Sequence, residues 1–321
     1  DRRFAAQSGI VLMTHFEKTA VLGAGVIGAS WTALFLAAGK DVCVFDVSDT
    51  VQDDVSDYVE KAWPTLVEIG LAVDGRRGTL SFAQTPEEAV READFVQENV
   101  PERLPIKLDL YRRIEPHLKT NAIVSSSASG LMVKEMQAGW TNPARFILGH
   151  PFNPPHLVPL VEVIGNERTD PAALLDAEAF YLEVGKVTIR VNKEVPGHVA
   201  NRLQAALWRE AIHLVNEGVA SVEDVDTAVW AGPGLRWGAM GPHMLFSLGA
   251  GAGGLAEFCN RYADSFHRWW DDLGAPKITA EVAEKLGQGV AEEAKGRGVE
   301  ALSTKRDALI VAHMKAVKDL R

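Results

Sequence analysis

Two cysteines in 321 residues are too few for a disulfide scaffold. Cys43 sits in an apolar, strand-like run and Cys259 in a helical one, without metal-ligand spacing, so no zinc site is expected and a reducing cytoplasm fits. No apolar run approaches the roughly 18 residues of a membrane span, which argues for a soluble protein. Positive charge is also scarce: 33 Lys and Arg against 43 Asp and Glu give a formal charge of -10 and no basic patch. Such a field repels polyanions, which excludes nucleic acid and anionic membrane as expected partners and leaves small molecules. The leader DRRFAAQSGIVL before Met13 is too short in its apolar part for a secretory signal. Residues 1–16 are read as an extension upstream of the first domain. Internal repeats and low-complexity tracts are lacking as well.

What the chain does have is alternation. From Thr19 to about Val191, short β-branched runs alternate with helical stretches, the pattern of a mostly parallel sheet covered on both faces. Strands are expected at 19–22, 42–45, 95–98, 122–125, 146–148, 160–163 and 187–191, the last three extending the sheet. Asp170-Pro171 is a helix start, with a capping side chain followed by a residue that needs no N–H partner, and Gly185 ends that helix. After Lys193-Glu194-Val195-Pro196-Gly197 the pattern becomes long and helical. The expected fold is therefore α/β: a Rossmann-type doubly wound domain over 17–194, then a mainly α-helical domain over 195–321.

Gly23-Ala24-Gly25-Val26-Ile27-Gly28 follows a strand and opens a helix. In that context the first two glycines permit a tight turn and close approach of backbone to a pyrophosphate, and the third lets helix pack on strand. The N–H groups of Val26, Ile27 and Gly28 belong to the helix N-terminus, which favours an anion. Asp46 ends the next strand, eighteen residues after Gly28. A carboxylate there accepts from the adenosine ribose hydroxyls and repels a 2′-phosphate, and Val47-Ser48-Asp49 bring no arginine, so NAD is expected over NADP. Gly249-Ala250-Gly251-Ala252-Gly253-Gly254 fits the same pattern but lacks a preceding strand and is set aside as a nucleotide site.

The segment FILGHPFNPPHLVPLVEVI holds a strand ending near His150, a proline-stiffened loop and a second strand containing Glu162. Such a turn can bring Glu162 back beside His150, and a carboxylate on a buried strand face needs a partner. Oxidising a secondary alcohol requires a base for the hydroxyl proton, and a buried carboxylate would fix the imidazole tautomer and stabilise the imidazolium. Taken alone, His150 would more often be a hydrogen-bonded structural histidine than a base, and Glu162 more often a solvated strand residue.

Taken together, these motifs resemble the short-chain 3-hydroxyacyl-CoA dehydrogenase family, from about Glu17 to the C-terminus. The family's serine motif corresponds to Ser125-Ser126-Ser127-Ala128-Ser129-Gly130, its His–Glu motif to HPFNPPHLVPLVEV and its asparagine motif to Gly197-His198-Val199-Ala200-Asn201-Arg202. The resemblance implies an NAD-dependent dehydrogenase of the L (3S-type) series. By it His150 is the base, Glu162 its partner, and Ser129 and Asn201 bind the substrate oxygen that becomes the ketone. It also implies that Glu102 and Lys107 line the nicotinamide end of the cofactor cleft, and that the protein is a homodimer through its helical domain. A dinucleotide-binding protein without turnover is the non-enzymatic alternative, and it would need neither the dyad nor the oxygen-binding pair.

Within that family the CoA users are similar to one another in a lysine- and arginine-rich helix after the second strand. Here Asp46, Asp49, Asp53, Asp54, Asp57 and Glu60 stand in a stretch with no Lys or Arg, a poor rim for a polyphosphate. The loop Gly232–Pro242 and Arg209-Glu210-Ala211 resemble the branch acting on free acids, the carnitine and gulonate 3-dehydrogenases with lambda-crystallin. A free carboxylate calls for a bidentate cation, for which Arg236 is the candidate, with Trp237 beside it. Carnitine would further need aromatic faces for its trimethylammonium, from Trp208, Trp230 or Trp237; core packing explains those tryptophans equally well. A 3-hydroxyacyl-CoA remains the alternative substrate.

Overall fold

A computed structural model describes residues 16–72 and 77–317. The leader before Met13 lies outside them. Among the described residues the chain forms two compact units, one running from Phe16 to Ala200 and taking back Ile310–Lys315, the other Asn201–Leu309 with Ala316 and Val317.

The first unit is built on an eight-stranded sheet. Its elements are β1 (Lys18–Leu22), α1 (Val26–Ala37), β2 (Asp41–Phe45), α2 (Val51–Glu68), β3 (Leu80–Phe82), α3 (Pro86–Val90), β4 (Phe95–Glu98), α4 (Leu104–Ile114), β5 (Ile123–Ser126), α5 (Val133–Met136), β6 (Phe146–Pro151), β7 (Leu160–Ile164), α6 (Pro171–Glu183) and β8 (Val187–Val191). The strand order is β3-β2-β1-β4-β5-β6-β7-β8. All neighbours are parallel except β6 and β7. This is the doubly wound Rossmann arrangement the alternation implied. β3 escaped the sequence reading because it is only three residues long and none of them is buried.

Strand alternation sends successive residues to opposite cores. Val21, Phe95, Ile123, Ile147, Val161 and Val163 join α1, α2 and α6 in one; Leu22, Val96, Val124, Leu148 and Ile164 join α3, α4 and α5 in the other. Helix α1 is apolar almost all round, and ten of its twelve residues are buried, as that composition requires. At α6 the Asp170 side chain accepts from Ala172 N–H at 2.9 Å, and Gly185, at φ 84°, stands just beyond the helix.

The rest of the described chain is mainly helical: α7 (Ala200–Asn216), α8 (Val222–Ala231), α9 (Pro233–Ala239), α10 (Pro242–Gly249), α11 (Gly254–Asp272), α12 (Ala280–Ala294) and α13 (Val299–Val317). Ser221 and Thr279 cap α8 and α12 by accepting from Asp224 and Val282 N–H. Phe246 of α10 stacks on Phe258 of α11 with ring centroids 4.8 Å apart. The segment 232–242, expected as a loop, contains α9, because Pro233 at the first helical position has the φ a helix start requires and no N–H to satisfy. The second glycine pattern, 249–254, is the turn between α10 and α11, with no strand before it. Among the described residues no helix is long and apolar enough to cross a membrane.

Candidate active site

The glycine motif turns the chain from β1 into α1 at the point where strand order reverses between β1 and β4, the crevice that open α/β sheets use for ligands. Gly23 adopts φ +85°, and a Cβ there would stand 2.7 Å from the backbone carbon of Asn99, in the loop after β4. At Gly28 a Cβ would meet the Gly23 carbonyl oxygen at 1.9 Å, so helix and turn touch only because the side chain is absent. At Gly25 a Cβ would meet nothing within 4 Å. No side chain caps α1, and there is no acidic residue in its first turn. Val26, at 61% exposure, and Ile27 therefore begin a helix end open to an anion. Asp46, just past β2, accepts from Ala24 N–H at 2.6 Å through one carboxylate oxygen and from Ser48 N–H at 2.9 Å through the other. The residues present thus fit a dinucleotide: a backbone cradle, an uncapped helix start and a carboxylate beside them.

His150 and Glu162 occupy directly opposed positions of the antiparallel β6–β7 pair. Their side chains project from the same face, and His150 Nδ1 lies 2.8 Å from Glu162 Oε2. Glu162 is fully buried and His150 is 5% exposed. The other oxygen of Glu162 accepts from Val199 and Ala200 N–H, each at 2.9 Å, at the start of α7. Burial pushes the Glu162 carboxyl upward, but the bond with His150 and the two backbone N–H groups outweigh it and hold the carboxyl below its ordinary value. With Glu162 ionised and facing Nδ1, the imidazole proton belongs on Nδ1 and Nε2 keeps its lone pair.

The loop between β6 and β7 is fixed from two sides. Ser30 of α1 meets His156 Nδ1 at 2.8 Å and accepts from His156 N–H at 2.9 Å. Lys186 donates its ammonium to the carbonyls of Pro155 and Val158, at 2.5 and 2.6 Å, with the Trp31 ring 5.0 Å away. Burial lowers its pKa to about 7.

Three of the four serines at the end of β5 and just beyond it are spent on structure. Ser125 bonds Tyr181, Ser126 donates to Glu98, and Ser127 donates to Asn99. Ser129 turns instead to Glu102, donating its hydroxyl at 3.0 Å, while Glu102 also accepts the N–H groups of Ser129, Gly130 and Leu131. Desolvation raises the Glu102 carboxyl, but these donors prevail and lower it. Lys107 departs from the expected place on a cleft wall. It is 1% exposed, and its ammonium is consumed by Glu98 Oε1 at 2.5 Å and the Val100 carbonyl at 3.1 Å. A buried carboxylate at the end of β4 needs a cation, and Tyr111, 2.6 Å from the other oxygen of Glu98, completes the cluster.

Asn201 follows Ala200 in the first turn of α7 and opens the second unit. Arg236 and Trp237 lie on α9 of that unit, with Arg236 exposed and Trp237 39% exposed. Spacing gave no sign of Lys186, of the Glu98–Lys107–Tyr111 cluster or of His198, whose placements depend on sheet order.

The sheet carries a cradle that fits a dinucleotide, and the chain's family and relatives make it an NAD-dependent oxidoreductase. The chain belongs to the 3-hydroxyacyl-CoA dehydrogenase family: the family's NAD binding domain matches residues 18–195 and its C-terminal domain residues 197–296. It is 43% identical over 302 residues to an L-carnitine dehydrogenase of Streptomyces coelicolor, covering 94% of this chain and 95% of that protein. It is 42% identical over 306 residues to an L-carnitine dehydrogenase of Pseudomonas putida, covering 95% of each. Among solved structures it is similar to 5-formyl-3-hydroxy-2-methylpyridine 4-carboxylic acid 5-dehydrogenase, an NAD+ dependent dismutase, with a TM-score of 0.81, 30% identity, and coverage of 94% of this chain and 99% of that one.

Proposed function

We propose that the protein oxidises the 3-hydroxyl of a free L-3-hydroxy carboxylic acid of the carnitine type to the 3-keto acid, with His150 as general base and Glu162 as its positioning partner. The observation that carries this reading is the 2.8 Å contact across opposed strand positions, which leaves Nε2 as the acceptor for the hydroxyl proton. As the imidazole becomes charged, Glu162 stabilises it without moving, because the carboxylate is already held by two backbone N–H groups. NAD, when bound, supplies the hydride acceptor. Gly23, Gly25, Val26, Ile27 and Gly28 would hold its pyrophosphate and Asp46 its adenosine ribose. Ser129 and Asn201 are proposed to bind the reacting oxygen, Ser129 by rotating its hydroxyl hydrogen from Glu102 to the substrate while Glu102 keeps the Ser129 N–H.

Two observations favour a free acid over a CoA ester. Asp49, Asp53, Asp54, Asp57 and Glu60 are all exposed on α2 and the turn before it, where a polyphosphate would meet like charge. The two relatives compared are named for L-carnitine, which also ranks carnitine above gulonate. Arg236 is the proposed partner of the substrate carboxylate and Trp237 of its cationic end. On α7, Leu203, Leu207 and Trp208 form an exposed apolar stripe, 64%, 39% and 56% accessible, which we assign to a second copy of the chain in a homodimer. A reducing cytoplasm remains the compartment proposed.

The test is NAD reduction with L-carnitine, L-gulonate, L-3-hydroxybutyrate and 3-hydroxybutyryl-CoA, alongside molar mass by light scattering. Carnitine should give the highest kcat/KM, and Arg236→Ala should raise KM for it. A CoA ester turned over far faster than every free acid would overturn the substrate assignment, and a monomeric mass would overturn the dimer.

A further inference from the structure

His198 has no part in the scheme above. Its ring is 4% exposed, yet neither Nδ1 nor Nε2 has a hydrogen-bond partner. Two unsatisfied buried nitrogens are costly, and native structures keep few of them without a reason. The backbone adds a second cost. At φ +51° His198 lies in the left-handed region, directly after Gly197 at φ +74°.

That conformation aims the next two N–H groups, of Val199 and Ala200, at Glu162. It accounts for the turn but not for the side chain, since glycine or asparagine would make the same turn with less strain. The ring's surroundings supply the missing reason. Its centroid is 5.5 Å from that of His150, and the charged groups whose fields reach it are His150 on β6, Glu162 on β7 and Glu102 after β4. Burial, then the charge on His150, hold its pKa below the usual imidazole value, against the pull of Glu162 and Glu102. The ring therefore stays neutral, with one N–H to give.

We propose that His198 is a further catalytic residue, donating a ring N–H to the reacting oxygen of the hydroxy acid that meets His150. The inference rests on the dehydrogenase reading given above. An oxygen held between two imidazoles this far apart can accept from one and donate to the other. During oxidation the O–H proton passes to His150 Nε2, the hydride on the same carbon leaves to NAD+, and the C–O bond becomes a carbonyl. Negative charge that builds on the oxygen as its proton departs is met by the His198 N–H, which is neither gained nor lost.

The test compares wild type with His198→Phe, His198→Gly and His198→Asn. The phenylalanine keeps the ring volume without a donor. The glycine deletes the ring while relaxing the backbone, which guards against a variant that does not fold. Asparagine keeps a donor and tolerates the turn. With L-carnitine, or whichever free acid in the panel the wild type prefers, kcat/KM should fall about 10²–10³-fold in the first two, as for loss of one donor to a developing oxyanion, and recover in part in the third. The NADH dissociation constant, read by fluorescence, should stay within about twofold, because the ring meets substrate and not cofactor. Wild-type activity confined to the CoA ester, or absent with every acid, would overturn the dehydrogenase reading and this inference with it. An active wild type whose folded Phe and Gly variants match its kcat/KM would overturn this inference alone.

Discussion

His150 and Glu162 face each other across β6 and β7, the one antiparallel pair in an otherwise parallel sheet, and their side chains meet at 2.8 Å on the face that also buries Leu148 and Ile164. A register slip of one residue would send Glu162 to the opposite core. Lys186 and Ser30, which hold the connecting loop, thereby help to set the geometry of the pair.

Removing the base should separate binding from chemistry. His150→Ala is expected to keep its affinity for NADH and to lose about 10²–10⁴-fold in kcat, the usual contribution of a general base. Glu162→Gln should lose less, because the amide preserves shape but not charge. Stopped-flow NADH formation with the preferred acid measures both. A His150→Ala enzyme with near-normal turnover would mean that another group takes the proton.

Much of this is legible in the sequence, because it depends on local periodicity. The glycine motif sits between an apolar strand and an apolar helix, and a short proline-rich turn forces the strand bearing Glu162 back along the strand bearing His150. Other parts depend on which strands become neighbours. Lys107 falls in the buried stripe of α4 with Leu110, Tyr111 and Ile114, but a lysine is ordinarily a surface residue, and only Glu98 at the end of β4 gives it a buried partner. His198 looks like one polar residue in a glycine turn until the fold removes every partner from its ring. The segment 232–242 misled because its glycines and prolines signal a loop, whereas Pro233 initiates a helix.

Acid should weaken the fold through Glu162. Its carboxyl is lowered in the folded protein from an ordinary value of 4.5, so the unfolded chain binds its proton first as pH falls. The stabilisation is fully present above the ordinary value and is lost as pH drops through the lowered one. Urea unfolding across a pH series should therefore show the gap between wild type and Glu162→Gln to be widest above about pH 5 and to close below it. A gap that widens on acidification would contradict the geometry given for this carboxylate.

Cofactor choice should turn on Asp46. In the folded chain it already accepts from Ala24 and Ser48 N–H, so its charge is fixed beside the glycine turn, and Val47 next to it is 90% exposed. Wild type should use NAD far better than NADP. Replacing Asp46 by alanine and Val47 by arginine should narrow that gap by about tenfold or more, by removing a repulsion and adding a cation for the 2′-phosphate. Equal wild-type kcat/KM for both cofactors would show that Asp46 does not discriminate.

The glycines at 25 and 28 should fail in different ways when each receives a methyl group. At Gly28 the new Cβ would stand 1.9 Å from the carbonyl oxygen of Gly23, a backbone atom that can move only if α1 shifts off β1. Gly28→Ala should therefore destabilise the fold by about 3 kcal/mol, the upper part of the range for overpacking, and NADH binding should weaken as a consequence. At Gly25 the Cβ meets nothing within 4 Å. Gly25→Ala should unfold at the same urea midpoint as wild type, or slightly above it, because alanine limits the unfolded chain. Its NADH affinity should nevertheless fall, since the methyl group fills space that we assign to the pyrophosphate. Urea midpoints and NADH fluorescence titrations on the two variants separate the outcomes, and a Gly25→Ala protein that binds NADH as tightly as wild type would place the pyrophosphate elsewhere.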